Sequence, residues 1–376
     1  MSTEEQVNLT AHCLCRKHTF TTSVPRSSLP LPAYLCHCNS CRHLTGSLFS
    51  TDVPWPGSPS NVDLSGLSVY KFSDKLLVHF CGTCSTPLLF SHPQDPNAQH
   101  GVFTGTLTNE AQKLVNIAIH IYVGDTVDGG ASMWLRHPNG DGKEVKRFKE
   151  RPGDAETGTS GEELPHDWPS PSSLTGFDKK SPEDSVSIKC KCGGVHFRLH
   201  RYPHTDKTGD QLPWFVDRTT HKYKAAQCGC DSCRLSSGVD LFSWTFCDLA
   251  QISFVDGADT KTFPKNKAEL KTLVDAKDPS AGTLKYYASS PDVQRYFCSS
   301  CSASVFYAVD SRPNLVDLAV GLLEASDGAR AEGFLAWWFG RISHRDDTKG
   351  GWREKLVECV MKEATEWREA RGYPEV

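Results

Sequence analysis

Seven cysteines in one fixed order, met twice, constrain this chain more than any other feature. The first set reads Cys13-x-Cys15, Cys36-x-Cys38-x-x-Cys41 and Cys81-x-x-Cys84; the second reads Cys190-x-Cys192, Cys228-x-Cys230-x-x-Cys233 and Cys298-x-x-Cys301. Only Cys247 and Cys359 of the 16 cysteines stand outside it. Neighbouring residues repeat too: Ser40-Cys41-Arg42 matches Ser232-Cys233-Arg234, Gly46 matches Gly238, Phe80 matches Phe297 and Tyr70 matches Tyr287. Self-similarity of this kind marks a tandem duplication, so the chain must build one architecture twice. The stretches joining the clusters are longer in the second copy by 15 and 25 residues, while the short spacings stay fixed. Rigid ligand turns joined by surface loops behave this way, because loops absorb insertions readily.

A length of 376 residues suits two units, and 38% hydrophobic residues with 18 Phe and 9 Trp suffice for two cores. The two units are expected at 8–145 and 185–345, joined by a Pro-, Gly- and Ser-rich linker over 150–184. Short alternating segments such as "VNIAIHIYV", "LLVHF", "SVSIKC" and "VDLAVGLL" read as strands, which predicts an all-β fold. The tail is different. In "WREKLVECVMKEATEWREARG", Leu356, Val357, Val360, Met361 and Ala364 recur at helical spacing, predicting a C-terminal helix over 350–372 that packs on its own domain.

A net charge of −4 without a basic run argues against a nucleic-acid surface. "MSTEEQVNLT" lacks an apolar core, and no stretch of about 18 apolar residues exists to span a membrane. The expected compartment is the cytoplasm, or the nucleus, where thiols stay reduced and cysteines serve as metal ligands rather than disulfides.

Paired CxC and CxxC turns can close a four-thiolate zinc site, from Cys13, Cys15, Cys81 and Cys84 in one copy and Cys190, Cys192, Cys298 and Cys301 in the other. Cys36, Cys38 and Cys41, with Cys228, Cys230 and Cys233, are then left as triplets. His37 and His43 are near, but Gly229 and Leu235 replace them in the second copy, so a repeated site does not use them. A distant His could complete each triplet; otherwise the fourth position is open, as in catalytic zinc sites. That makes about two zinc ions per domain and four per chain. A soft three-thiolate shell suits a further thiolate, so the expected co-substrate is a small thiol such as glutathione. The rival reading is a non-catalytic tandem zinc module serving as an interaction surface.

The order CxC, CxCxxC, CxxC, with the Cys-Arg pair and the following Gly, resembles the glutathione-dependent formaldehyde-activating enzyme family, whose domain centromere protein V shares. The resemblance covers roughly 8–140 and 185–345. It implies β-tent domains, a structural and a substrate-facing zinc in each, and a carbon–sulfur lyase acting on adducts such as S-(hydroxymethyl)glutathione. By analogy the two triplets carry the catalysis. His120, in "IAIHIYV", looks like a family position; it either handles a proton for the carbonyl oxygen or is a core or surface histidine of its strand, and counting from the CxxC pair puts Trp337 in its place in the second copy. Arg42 and Arg234 either bind a glutathione carboxylate or salt-bridge the charged thiol cluster. The expected partners are small thiol and aldehyde molecules, with a homodimer as a further expectation.

Overall fold

The computed structural model describes residues 4–153, 160–203, 207–255 and 261–376. The first copy opens with a hairpin, β1 (Gln6–His12) and β2 (Thr19–Pro25), whose turn carries Cys13 and Cys15. The chain continues through β3 (Leu31–Cys36), α1 (Asn39–Thr45), β4 (Ser50–Pro54), β5 (Ser68–Lys71), β6 (Leu77–Phe80), β7 (Pro87–Ser91), β8 (Gly101–Phe103) and β9 (Val115–Ile121). These strands lie side by side as β9-β3-β4-β8-β7-β6-β5, with a short β10 (Lys146–Arg147) added beside β9. Val115 and Ile117 of β9 point into the core, as their period-two spacing predicts.

The second copy repeats the plan. Its hairpin is β11 (Ser185–Lys189) and β12 (His196–His200), followed by β13 (Tyr223–Cys228), α2 (Asp231–Ser237) and β14 (Phe242–Asp248). The longer insertion builds β15 (Ile252–Phe254), which pairs with β12, and α3 (Lys267–Asp275). Then come β16 (Leu284–Ser290), β17 (Val293–Cys298), β18 (Ser304–Val309), β19 (Leu315–Ala319), β20 (Leu323–Glu324) and β21 (Leu335–Ser343). Their sheet order, β21-β13-β14-β19-β18-β17-β16, matches the first copy strand for strand. In both, the strand ending at the first triplet cysteine pairs parallel with the last strand of the copy.

The copies pack reciprocally. Gly105 N–H donates to Gly238 O at 3.0 Å, and Gly321 N–H donates to Gly46 O at 2.9 Å. Gly46 and Gly238 end α1 and α2 in the left-handed region, with φ of 80° and 77°. A Cβ on Gly46 would stand 2.4 Å from Ser304 O, so only glycine gives both the turn and the close approach. The second copy's CxC turn also leans on α1, where Lys191 N–H donates to His43 O at 3.0 Å and Lys191 Nζ to Ser40 Oγ at 2.7 Å.

The C-terminal helix α4 (Arg353–Ala370) straddles this junction instead of serving one domain. It packs on β21 and on the first copy's Gly130–Trp134 segment, and Glu363 accepts from the Arg136 and His137 backbone N–H groups. Arg353 is fully buried; its Nε donates to Asp240 at 2.7 Å and Nη2 to Thr104 O, while Thr104 Oγ1 donates to Asp240 at 2.6 Å. Here a charge-assisted bond joins three parts of the chain. The described part of the linker is likewise docked: Lys222 Nζ donates to Phe177 O at 2.6 Å and Arg147 to Trp168 O at 3.0 Å.

Removing one partner of a buried pair leaves the other charge stranded. Arg353→Leu should therefore cost about 3–5 kcal/mol, read as a lower urea midpoint of the zinc-loaded chain. Lys349→Ala, which breaks an exposed pair with Asp346, should stay within about 0.5 kcal/mol of the native chain.

Candidate metal centres

Each copy brings its CxC and CxxC turns together into a four-thiol cluster whose sulfurs lie within 4.8 Å of one another. Cys13 and Cys15 stand 3.6 Å apart, Cys15 and Cys81 3.7 Å, Cys190 and Cys192 3.6 Å, Cys192 and Cys298 3.5 Å. Four sulfurs about 2.3 Å from one zinc would be spaced by about 3.8 Å, so the clusters fit that ion without rearrangement. The turns are shaped for the purpose. Arg16, Ser85, Gly193 and Ser302, each directly after a cluster cysteine, adopt positive φ between 63° and 75°. Backbone N–H groups then aim at sulfur, as from His18 to Cys13 at 3.3 Å and Val195 to Cys190 at 3.2 Å.

The triplets form at the ends of β3 and β13, where the chain turns into α1 and α2. Cys38 and Cys230 are the N-caps of these helices and accept the Cys41 and Cys233 N–H groups at 3.3 Å in both copies. Within each triplet the sulfurs lie within 4.8 Å of one another, and among the described residues no His, Asp or Glu atom joins them. Cys36 and Cys228 are buried, whereas Cys38, Cys41 and Cys230 keep a partly exposed side. Hydrogen bonds from Cys36 and Cys41 pull the Cys38 thiol down to about 3, and bonds from Cys228 and Cys230 pull Cys233 well below its ordinary value. Three thiols share protons that a cation would displace, a donor set suited to zinc with one position left over.

His120 does not face this site. Cys36 pairs with Ile121 and Leu35 with His120, so alternation along β9 turns the imidazole to the opposite face. Both ring nitrogens are engaged there, Nδ1 with His37 Nε2 at 2.9 Å and Nε2 with Leu135 O at 2.9 Å. The proton role expected of it is therefore corrected. Nor is Trp337 its counterpart: an irregularity in β21 makes Ile342, paired with Gln227, the equivalent of His120, while Trp337 pairs with Ala225.

Arg234 is also corrected as a carboxylate reader. It is buried against the other copy, with Nε on Asp231 at 2.7 Å and Nη1 on Gly105 O and Leu107 O at 2.6 and 2.9 Å. Arg42, equally buried, donates Nη2 to Asn39 at 2.6 Å and keeps Nε and Nη1 without a protein partner.

Residues that the cysteine pattern did not single out surround the triplets. Asp52 and Trp244 each lie eleven positions after the third triplet cysteine and on the sheet face of Cys36 and Cys228. Asp52 is half-buried, and burial holds its carboxyl up at about 7, with Arg151 pulling it partly back. Trp244 Nε1 instead donates to Cys233 Sγ at 3.4 Å. Beyond it, Phe246 packs on Trp214 of the shorter insertion at 5.0 Å and on Trp338 at 5.8 Å, an aromatic wall specific to the second copy. Comparing unlike residues at matched offsets, rather than like ones, would have found this pair.

The profile of the glutathione-dependent formaldehyde-activating enzyme family matches residues 8–125 and 216–339. The chain belongs to that family. No curated protein matches it. The second match begins after Cys190 and Cys192, yet the structure closes those two thiols onto Cys298 and Cys301 as it closes Cys13 and Cys15 onto Cys81 and Cys84. Among the described residues no helix is long and apolar enough to cross a membrane.

Elemental analysis of the zinc-loaded chain should find four zinc ions, one per cluster. Cys38→Ser should remove about one of these with little loss of stability, since the triplet closes only a local turn. Cys81→Ser should also destabilise the fold by several kcal/mol, read as a lower urea midpoint, because a structural zinc site contributes about 10 kcal/mol or more to folding.

Proposed function

We propose that the chain is a zinc-dependent carbon–sulfur lyase acting on a thiol adduct of an aldehyde, such as S-(hydroxymethyl)glutathione. The observation that carries this reading is the pair of three-thiol centres that no further His, Cys, Asp or Glu completes among the described residues. Family membership supports the substrate class. Zinc bound at a triplet supplies a Lewis-acidic fourth position suited to a substrate sulfur.

The first copy's own residues account for the proton. Asp52 sits on the strand beside Cys36, on the same face, with a carboxyl poised near neutrality. In the breakdown direction its carboxylate takes the proton from the adduct hydroxyl, the C–O bond becomes a carbonyl, and the C–S electrons leave with sulfur. In the condensation direction the same group, protonated, returns the proton to the carbonyl oxygen. Arg42, with two unpartnered donors beneath α1, is the guanidinium left to read a carboxylate of the thiol.

The proton role fixes a sign. Breakdown needs ionised Asp52, so in a Cys230→Ser background its rate should rise as pH climbs through about 7. Asp52→Asn should flatten that limb and lower the rate about 100-fold, the scale of one general base. Glutathione–formaldehyde exchange followed by NMR measures both. A rate indifferent to Cys38→Ser combined with Cys230→Ser would remove the lyase reading.

A further inference from the structure

The two three-thiol centres share backbone, helix and clip, yet their charged surroundings differ at matched positions. Arg295 lies three residues before Cys298, where the first copy has Val78 before Cys81. Strand pairing confirms the match: Arg295 faces Tyr287 and Tyr307 across β16 and β18, as Val78 faces Tyr70 and Phe90 across β5 and β7. The Arg295 guanidinium reaches the second triplet, with Nη1 3.6 Å from Cys233 Sγ, Nε on Ser289 Oγ at 3.1 Å, and its plane over the Tyr307 ring at 5.1 Å. Trp244 Nε1 donates to the same sulfur at 3.4 Å.

No carboxylate pairs with this guanidinium among the described residues. Asp317, the nearby acid on β19, is engaged by Arg312 at 2.9 Å. The charge of Arg295 is thus left to the thiolates. At the first triplet the hydrogen bond to sulfur comes from the backbone, Cys41 N–H to Cys38 Sγ. The guanidiniums near it act on the sulfurs through space rather than by a hydrogen bond: Arg42 donates to Asn39 and keeps Nε and Nη1 unpartnered, and Arg151 donates to the Tyr122 hydroxyl at 3.0 Å. Trp244 is replaced by Asp52, an acid in place of a donor.

We propose that Arg295 is the specificity-determining residue that makes the second centre the stronger thiolate binder of the two. Three thiolates already outweigh a dication by one negative charge, and a fourth doubles the excess. A guanidinium and an indole N–H on Cys233 draw charge off that sulfur, so an incoming thiolate meets less repulsion at the second centre. The first centre is faced by Asp52 and, among the described residues, has no side-chain N–H on its sulfurs, so it releases a thiolate more readily. The inference rests on the open-position reading of both triplets.

Cadmium-loaded full-length protein tests it without an activity assay. Cadmium NMR should give two tetrathiolate signals and two trithiolate signals, the latter assigned by Cys38→Ser and Cys230→Ser. Titrated with glutathione at fixed pH, the second copy's signal should move toward the tetrathiolate position at about tenfold lower concentration, the value of one charge-assisted hydrogen bond. Arg295→Val, which copies the first centre, should erase the gap; Arg295→Lys should keep part of it. Retention of both tetrathiolate signals reports that a variant is folded, and the native titration stands alone if Arg295→Val is not. Two centres that titrate together in the native chain, or a gap that survives Arg295→Val, overturn the proposal while leaving the lyase reading intact. If neither signal moves, both fall.

Discussion

Mutual repulsion among clustered thiolates, and its relief by a cation, is the constraint on which the rest of this structure depends. Four sulfurs within 4.8 Å cannot all ionise unaided, and bound to a metal they become a covalent-strength clip between the CxC hairpin and the CxxC end of the sheet. That clip does more than hold its own copy. Lys191, between Cys190 and Cys192, bonds to His43 and Ser40 on α1, the helix that carries Cys41. The second copy's four-thiol centre thus positions the first copy's three-thiol one. In the reverse direction, burial and then the thiols of Cys15, Cys84, Cys13 and Cys81 hold the Tyr287 hydroxyl above its ordinary value, placing the second copy's β16 against the first copy's clip.

Reciprocity explains why the duplication lives in one chain. Each triplet helix ends on a glycine whose carbonyl receives an N–H from the other copy, so neither helix end is satisfied alone. Arg234 and Arg353 seal the same junction with buried charge, and each would be costly to expose unpaired. With α4 and the docked part of the linker laid across it, the junction is fastened from both sides.

The cysteine order disclosed the duplication and the division into four-thiol and three-thiol clusters, because ligand spacing is a local property of the chain. The strands of β6, β9, β11 and β19 and the helix α4 were legible for the same reason, from period and composition. What crossed between copies was not. Nothing local in "SCRLSSG" says that Arg234 will bond to Gly105 and Leu107, so sequence leaves a substrate carboxylate and the thiol cluster as its two expected partners. His120 failed differently. Its offset from Cys84, carried over to Cys301, lands on Trp337 in β21, whose irregular register makes Ile342 the second copy's counterpart, and which face of β9 it occupies is fixed only by pairing with β3.

A shared frame also limits where the copies can differ. Clips, triplet turns and the helix–glycine exchange are locked by packing on both sides, so a change there would disturb two centres at once. The sheet face in front of each triplet carries no such double duty. It is there that Asp52 stands against Trp244, Val78 against Arg295 and Gly101 against Asp317. Burial lifts the Asp52 carboxyl to about 7 and, against Arg312, the Asp317 carboxyl to about 6. One face therefore offers a lone acid near neutrality beside the thiols, the other a guanidinium with its acid set back and held by a second arginine. Two clusters alike in their cysteines are thereby made unlike in the charge around them.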